Sequence, residues 1–115
     1  MNYTKTLTPK ITQIEQASSA LGFVASCDLQ VANFCAVLLA GLGAKRVLEL
    51  GTGTGLSTLF MAEALAESAQ LVSVDVDADC SAVAACVIND ARVQSEVADA
   101  GGFLKACQPH SFVFI

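Results

Sequence analysis

The sequence predicts an α/β fold, the first half of a doubly wound parallel sheet of about four strands, with two helices ahead of it. Three observations predict this. A short apolar run, Arg46–Leu50, ends in glycines at alternate positions, Gly51, Gly53 and Gly55, and helical periodicity starts at Leu56. Apolar runs and helical patterns then alternate through the rest of the chain. Hydrophobic residues make up 54% and charged residues 15%, which suits strands covered on both faces.

Taken in order, residues 1–9 are polar, end in Pro9 and read as a loose lead-in. From Lys10 to Leu21 the apolar positions Ile11, Ile14, Ala17 and Leu21 recur at helical spacing, and Gly22 supplies a stop. Asp28 is a good N-cap for a second helix, with an apolar stripe of Val31, Phe34, Cys35, Leu38, Leu39 and Leu42. Gly41 and Gly43 mark its end. The first strand is Arg46–Leu50, and the helix after it runs over Leu56–Glu67 with Leu59, Phe60 and Leu65 inward. A second strand, Gln70–Val74, ends at Asp75. A helix follows over Asp79–Ala91, where Ala82, Val83, Cys86 and Val87 repeat at helical spacing. A third, weakly patterned strand lies within Val93–Ala98. A short helix, Gly101–Cys107, is broken by Pro109. Phe112–Ile115 is apolar throughout and reads as a fourth, buried strand. Right-handed crossovers place the first strand centrally, between the second and the fourth. The expected organisation is one domain over residues 1–115, a helical segment 1–44 followed by βα units 45–115.

Glycines at a strand-to-helix turn permit positive φ and let a ligand approach the backbone. The amides opening the next helix then face that ligand. The dinucleotide fingerprint G-x-G-x-x-G does not fit, because its third glycine falls on Leu56 or Thr58 in the two possible registers. The chain instead reads E-x-G-x-G-x-G from Glu49 to Gly55. This resembles the first motif of the class I S-adenosylmethionine-dependent methyltransferases, a Rossmann-like family with Asp or Glu at the place of Glu49.

Asp75 lies 24 residues after Gly51, at the end of the second strand and hence at the rim of the turn. A carboxylate there can accept hydrogen bonds from both ribose hydroxyls. Asp77 is the competitor for that role, and Asp79 reads as a cap or first-turn acid. The stretch L-V-S-V-D-V-D-A-D-C-S-A-V-A is similar to the corresponding part of catechol-type and caffeoyl-coenzyme-A-type O-methyltransferases. The resemblance runs from near Asp28 to Ile115. It implies S-adenosylmethionine contacts at Glu49, Gly51, Thr52, Gly53, Gly55, Ser57 and Asp75. It further implies Val76 against the adenine and Asp99 at the adenine amino group. A helix-capping role for Asp99 competes with the latter. Ser57 and Thr58 read as first-turn or methionine-carboxylate contacts rather than nucleophiles. No catalytic residue is assigned, and no metal ligand. In the metal-dependent members a magnesium-binding aspartate follows the fourth strand, beyond Ile115, so a divalent metal is expected only together with a second half of the sheet.

Composition narrows the partners. The net charge is −5 and the pI about 4.5, with six Lys and Arg scattered except for the Lys45–Arg46 pair, so direct nucleic-acid binding is not expected. Val31–Ala44 is too short for a membrane span, and the first residues carry no signal-peptide pattern. A cytoplasmic location is expected. Cys27, Cys35, Cys80, Cys86 and Cys107 include no C-x-x-C pair, and with His110 alone they make no zinc set. They read as small buried hydrophobes in a reducing compartment. His110, ahead of the fourth strand, reads as a surface residue.

The resemblance therefore implies a methyltransferase acting on a small-molecule oxygen, with this chain its cofactor-binding half. The alternative is a non-catalytic S-adenosylmethionine-binding or interaction protein of the same descent. A nicotinamide-cofactor domain is disfavoured by the glycine spacing. The apolar run Phe112–Ile115 would leave an open strand edge, for which instability, aggregation or pairing of two copies through that strand is the expected outcome.

Overall fold

The computed structural model describes residues 2–24, 27–108 and 112–114. Among these, the elements are α1 (Thr4–Leu21), α2 (Leu29–Leu42), β1 (Arg46–Leu50), α3 (Leu56–Ala64), β2 (Gln70–Asp75), α4 (Ala78–Ile88), β3 (Val93–Val97), α5 (Ala100–Ala106) and β4 (Val113–Phe114). The sheet is parallel throughout, in the order β3-β2-β1-β4. β1 is thus central, as the sequence predicts, and its carboxyl end opens onto the glycine turn. Pro109, His110 and Ile115 lie outside the described residues.

Local signals set most boundaries. Gly22 closes α1 in the left-handed conformation at φ 70°. The Asp28 carboxylate accepts from Gln30 N to cap α2, and Gly43 ends that helix at φ 60°. Asp77, not Asp79, caps α4 by accepting from Cys80 N, and α4 stops at a left-handed Asn89, short of Ala91.

Cys86, which the sequence predicts to be buried, is exposed. Two further expectations fail. Residues 1–9 are not a lead-in: α1 starts at Thr4 and carries Pro9 inside it. Proline removes one backbone donor there, but burial of Leu7 holds the turn down. Tyr3 N donates to Asn33 Oδ1 at 2.9 Å, tying the start of α1 to α2. The second failure is the face of α2. Its buried residues are Ala32, Ala36 and Leu39, while Phe34 is 66% exposed and Val31, Leu38 and Leu42 are exposed too. Small residues let α2 lie close against its neighbour, so the bulky stripe turns outward.

The core has two parts. One joins α1, α2, α3 and α4 through residues such as Ile14, Ala36, Phe60 and Ala84. The other packs α2 and α3 on the sheet through Leu39, Val47, Met61 and Leu71. Arg92 bolts the far end. Its guanidinium donates to the carbonyls of Ala62 in the last turn of α3 and of Leu65 and Ala66 just after it, and pairs with Asp90 at 2.6 Å.

Candidate functional site

The site begins where β1 runs out. Gly51, Gly53 and Gly55 take φ values of 91°, 55° and 98°, a region that side chains with a Cβ resist. Gly55 is also the N-cap of α3. A Cβ on it would lie 2.6 Å from the Ala84 Cβ, so this glycine lets the turn pack on α4. A Cβ on Gly51 would meet nothing within 4 Å, leaving its backbone open.

Asp75 ends β2 beside this turn. Its Oδ2 accepts from Gly53 N at 2.8 Å and its Oδ1 from Asp77 N at 2.9 Å. An ionised carboxylate has about four acceptor sites, so each oxygen keeps one for a further donor. The backbone thus fixes the carboxylate without saturating it.

Glu49 lies one layer deeper and is 3% exposed. Ser57 donates to Oε2, Thr58 to Oε1, and Ser73 Oγ to Oε1 at 2.6 Å. Ser73 has one hydroxyl proton, already given to Glu49. Thr52 Oγ1, 2.6 Å from Ser73 Oγ, must therefore be the donor of that pair. Likewise Ser18 Oγ donates to Ile14 O, so Thr54 Oγ1 donates to Ser18 Oγ across 2.7 Å. These bonds pin the turn to β2 on one side and to α1 on the other. Burial pushes the Glu49 carboxyl above the usual range. The three hydroxyl donors pull it back, and the charge of Asp75 raises it again. Among the described residues the ion pair is Arg92–Asp90, and no side-chain cation offsets Glu49.

A cavity of about 300 Å³ opens over the turn. Gly51, Thr52, Gly53, Ser57 and Asp75 line it, with Phe23 and Cys27 contributed by the α1–α2 connection. Burial, then Cys35, Glu49 and Asp28, push the Cys27 thiol up, away from the lowered range of an activated cysteine.

The structure therefore gathers five of the sequence candidates, Gly51, Thr52, Gly53, Ser57 and Asp75, around one cavity. Glu49 backs it through Ser57. Gly55 faces α4. Val76 follows Asp75 and is 69% exposed. Asp99 caps α5 by accepting from Gly102 N at 2.9 Å, outside the cavity lining. Asp77 is engaged at Cys80 N. Sequence reasoning missed Ser73 and Phe23. Ser73 had a signal: a serine inside a buried strand needs a partner, and its register partner is Glu49. Phe23 had none, since only tertiary folding brings it over Gly53. Among the described residues no group of three or more His, Cys, Asp and Glu could hold a metal ion, and no helix is long and apolar enough to cross a membrane.

A family model described as O-methyltransferase matches residues 11–105. The chain belongs to the O-methyltransferase family. Among solved structures, a candidate O-methyltransferase from Klebsiella pneumoniae is 30% identical, with a TM-score of 0.77 over 85% of this chain and 47% of that one. Cofactor-bound Rv0187 from MTB is 26% identical, with a TM-score of 0.81 over 90% and 50%. TomG from Streptomyces achromogenes, an O-methyltransferase involved in tomaymycin synthesis and solved with S-adenosylmethionine, is 22% identical, with a TM-score of 0.79 over 89% and 48%. The chain spans about half the length of these structures. No curated protein sequence matches it.

Proposed function

We propose that the chain binds S-adenosylmethionine at the glycine turn and serves O-methyl transfer to a small molecule. The observation that carries this is the state of Asp75. Both its oxygens are fixed by backbone amides and both keep an acceptor site, which matches the two hydroxyls of one ribose. The buried Glu49 supports it, because the Ser57, Thr58 and Ser73 hydroxyls bonded to it hold the floor of the turn in place. Family membership supports it independently, as do the cofactor-bound relatives.

In this reading Asp75 holds the ribose, the Gly51–Gly53 backbone and Ser57 hold the methionine part, and Val76 offers an apolar surface to the adenine. Glu49, Thr52, Ser73 and Thr54 hold the turn in shape, and Asp99 stays a cap close by. The donor supplies an electrophilic methyl on a sulfonium. The chain's own contribution is to fix the donor's position before the acceptor arrives, which removes much of the entropic barrier to an in-line displacement. A small-molecule acceptor and a cytoplasmic location belong to the same proposal; the five free cysteines support the latter. Pairing of two copies through β4, which has β1 on one side among the described strands, belongs to the same proposal.

Calorimetric titration tests the binding claim. S-adenosylmethionine should bind and NAD should not. Release of S-adenosylhomocysteine with catechol acceptors separates an enzyme from a non-catalytic binder.

A further inference from the structure

Phe23 is half-buried at the start of the α1–α2 connection, one residue past the glycine that stops α1. Its N–H donates to Ser18 O at 2.9 Å, which ties the residue back to α1. Its ring sits on the bare Cα of Gly53: a Cβ built there would lie 2.7 Å from the Phe23 Cζ and 3.1 Å from Cε2. Gly53 is thus required twice, by its φ of 55° and by the ring. The same side chain borders two cavities, the one over the glycine turn and a smaller one, about 180 Å³, edged by Gly22, Asp77, Asp79 and Cys80. The first, at about 300 Å³, is at the low end for a small-molecule site, so a wall lost there changes its shape markedly.

We infer that Phe23 is a positioning residue of the donor site, the aromatic wall that closes the glycine-turn cavity on the α1 side and holds a bound nucleoside donor against Gly53 and Asp75. This rests on the function proposed above and goes beyond it, because the ring lies outside every motif in which the binding role was read. The neighbouring Val24 is 94% exposed and serves as a control on the same connection.

Titration of S-adenosylhomocysteine into the full chain and its Phe23→Ala, Phe23→Leu and Val24→Ala variants tests the inference, with folding of each checked by circular dichroism. Phe23→Ala should weaken binding about tenfold, the scale of losing well-packed apolar contact. Phe23→Leu, which keeps apolar bulk, should stay within about threefold of wild type, and Val24→Ala should be unchanged. A second reading does not need the ligand. Gly53→Ala should lower the melting temperature, and part of that loss should vanish in the Phe23→Ala background, since the clash goes while the strain of positive φ stays. Wild-type affinity in a folded Phe23→Ala variant would overturn the role of Phe23 and leave the donor site standing. Failure of the wild-type chain to bind S-adenosylhomocysteine would overturn the donor site, and the role of Phe23 with it. Additive melting losses for Phe23 and Gly53 would contradict the contact itself.

Discussion

Ser73 Oγ donates to Glu49 Oε1 at 2.6 Å between residues that face each other in the β1–β2 register. The bond joins the two strands at the layer just below the glycine turn. It also receives the Thr52 hydroxyl, so one small side chain links strand, acid and turn.

Ser73→Ala should therefore cost more than a single hydrogen bond. It removes one donor from a buried carboxylate and strands the Thr52 hydroxyl. The expected loss is about 1–3 kcal/mol, the scale for leaving buried polar groups unsatisfied. Urea denaturation of the variant checks this, and Ser73→Thr, which keeps the hydroxyl, should lose less.

Glu49 makes stability pH-dependent. Its folded carboxyl is raised above the unfolded value, with burial the main cause. Between those two values the folded state binds the extra proton, so stability from this group falls as pH rises. The loss begins at the ordinary glutamate value, about 4.3, and is complete once pH passes the folded one. Relative to wild type, Glu49→Gln should gain stability as pH is raised through that window. Paired denaturation curves on both proteins from acid to neutral pH check the sign; a gain on acidification would contradict it.

Gly55→Ala should destabilise by about 1–3 kcal/mol, from positive φ and a new Cβ pressed on Ala84. Adding Ala84→Gly should recover part of the steric share, since the new Cβ still meets the backbone Cα of residue 84 at 3.0 Å. A thermal-melting double-mutant cycle would show a favourable coupling between the two changes.

Arg92 is expected to be worth about 1–3 kcal/mol to stability, because carbonyls in the last turn of α3 and just after it accept from its guanidinium. Arg92→Lys should recover little, as a single ammonium cannot reproduce the planar fork. Equal stability of Arg92→Lys and wild type in urea would count against this account.

Much of this was legible in the residues. The strand order followed from Arg46–Leu50, Gln70–Val74 and Phe112–Ile115, because buried parallel strands are uniformly apolar and crossovers have one hand. The glycine turn and Asp75 were legible because local conformation and chain position fix them. The outward face of α2 was not, since a stripe of Phe34 and Leu38 outweighs Ala32 and Ala36 in any periodicity, and only close helix packing reverses that. Pro9 inside α1 was hidden for a related reason: tertiary burial of Leu7 overrides a local breaker. Ser73 carried a signal, a serine inside a buried strand, but the identity of its partner Glu49 and the place of Phe23 depend on contact between distant segments, which sequence spacing does not encode.

The central claim is that Asp75 receives the ribose of S-adenosylmethionine. A crystal structure of the chain with S-adenosylhomocysteine tests it most directly. The account predicts both ribose hydroxyls at hydrogen-bonding distance from the Asp75 oxygens, with the homocysteine part along Gly51–Gly53. A ribose held by Asp77, or a nucleoside seated away from the glycine turn, would contradict it.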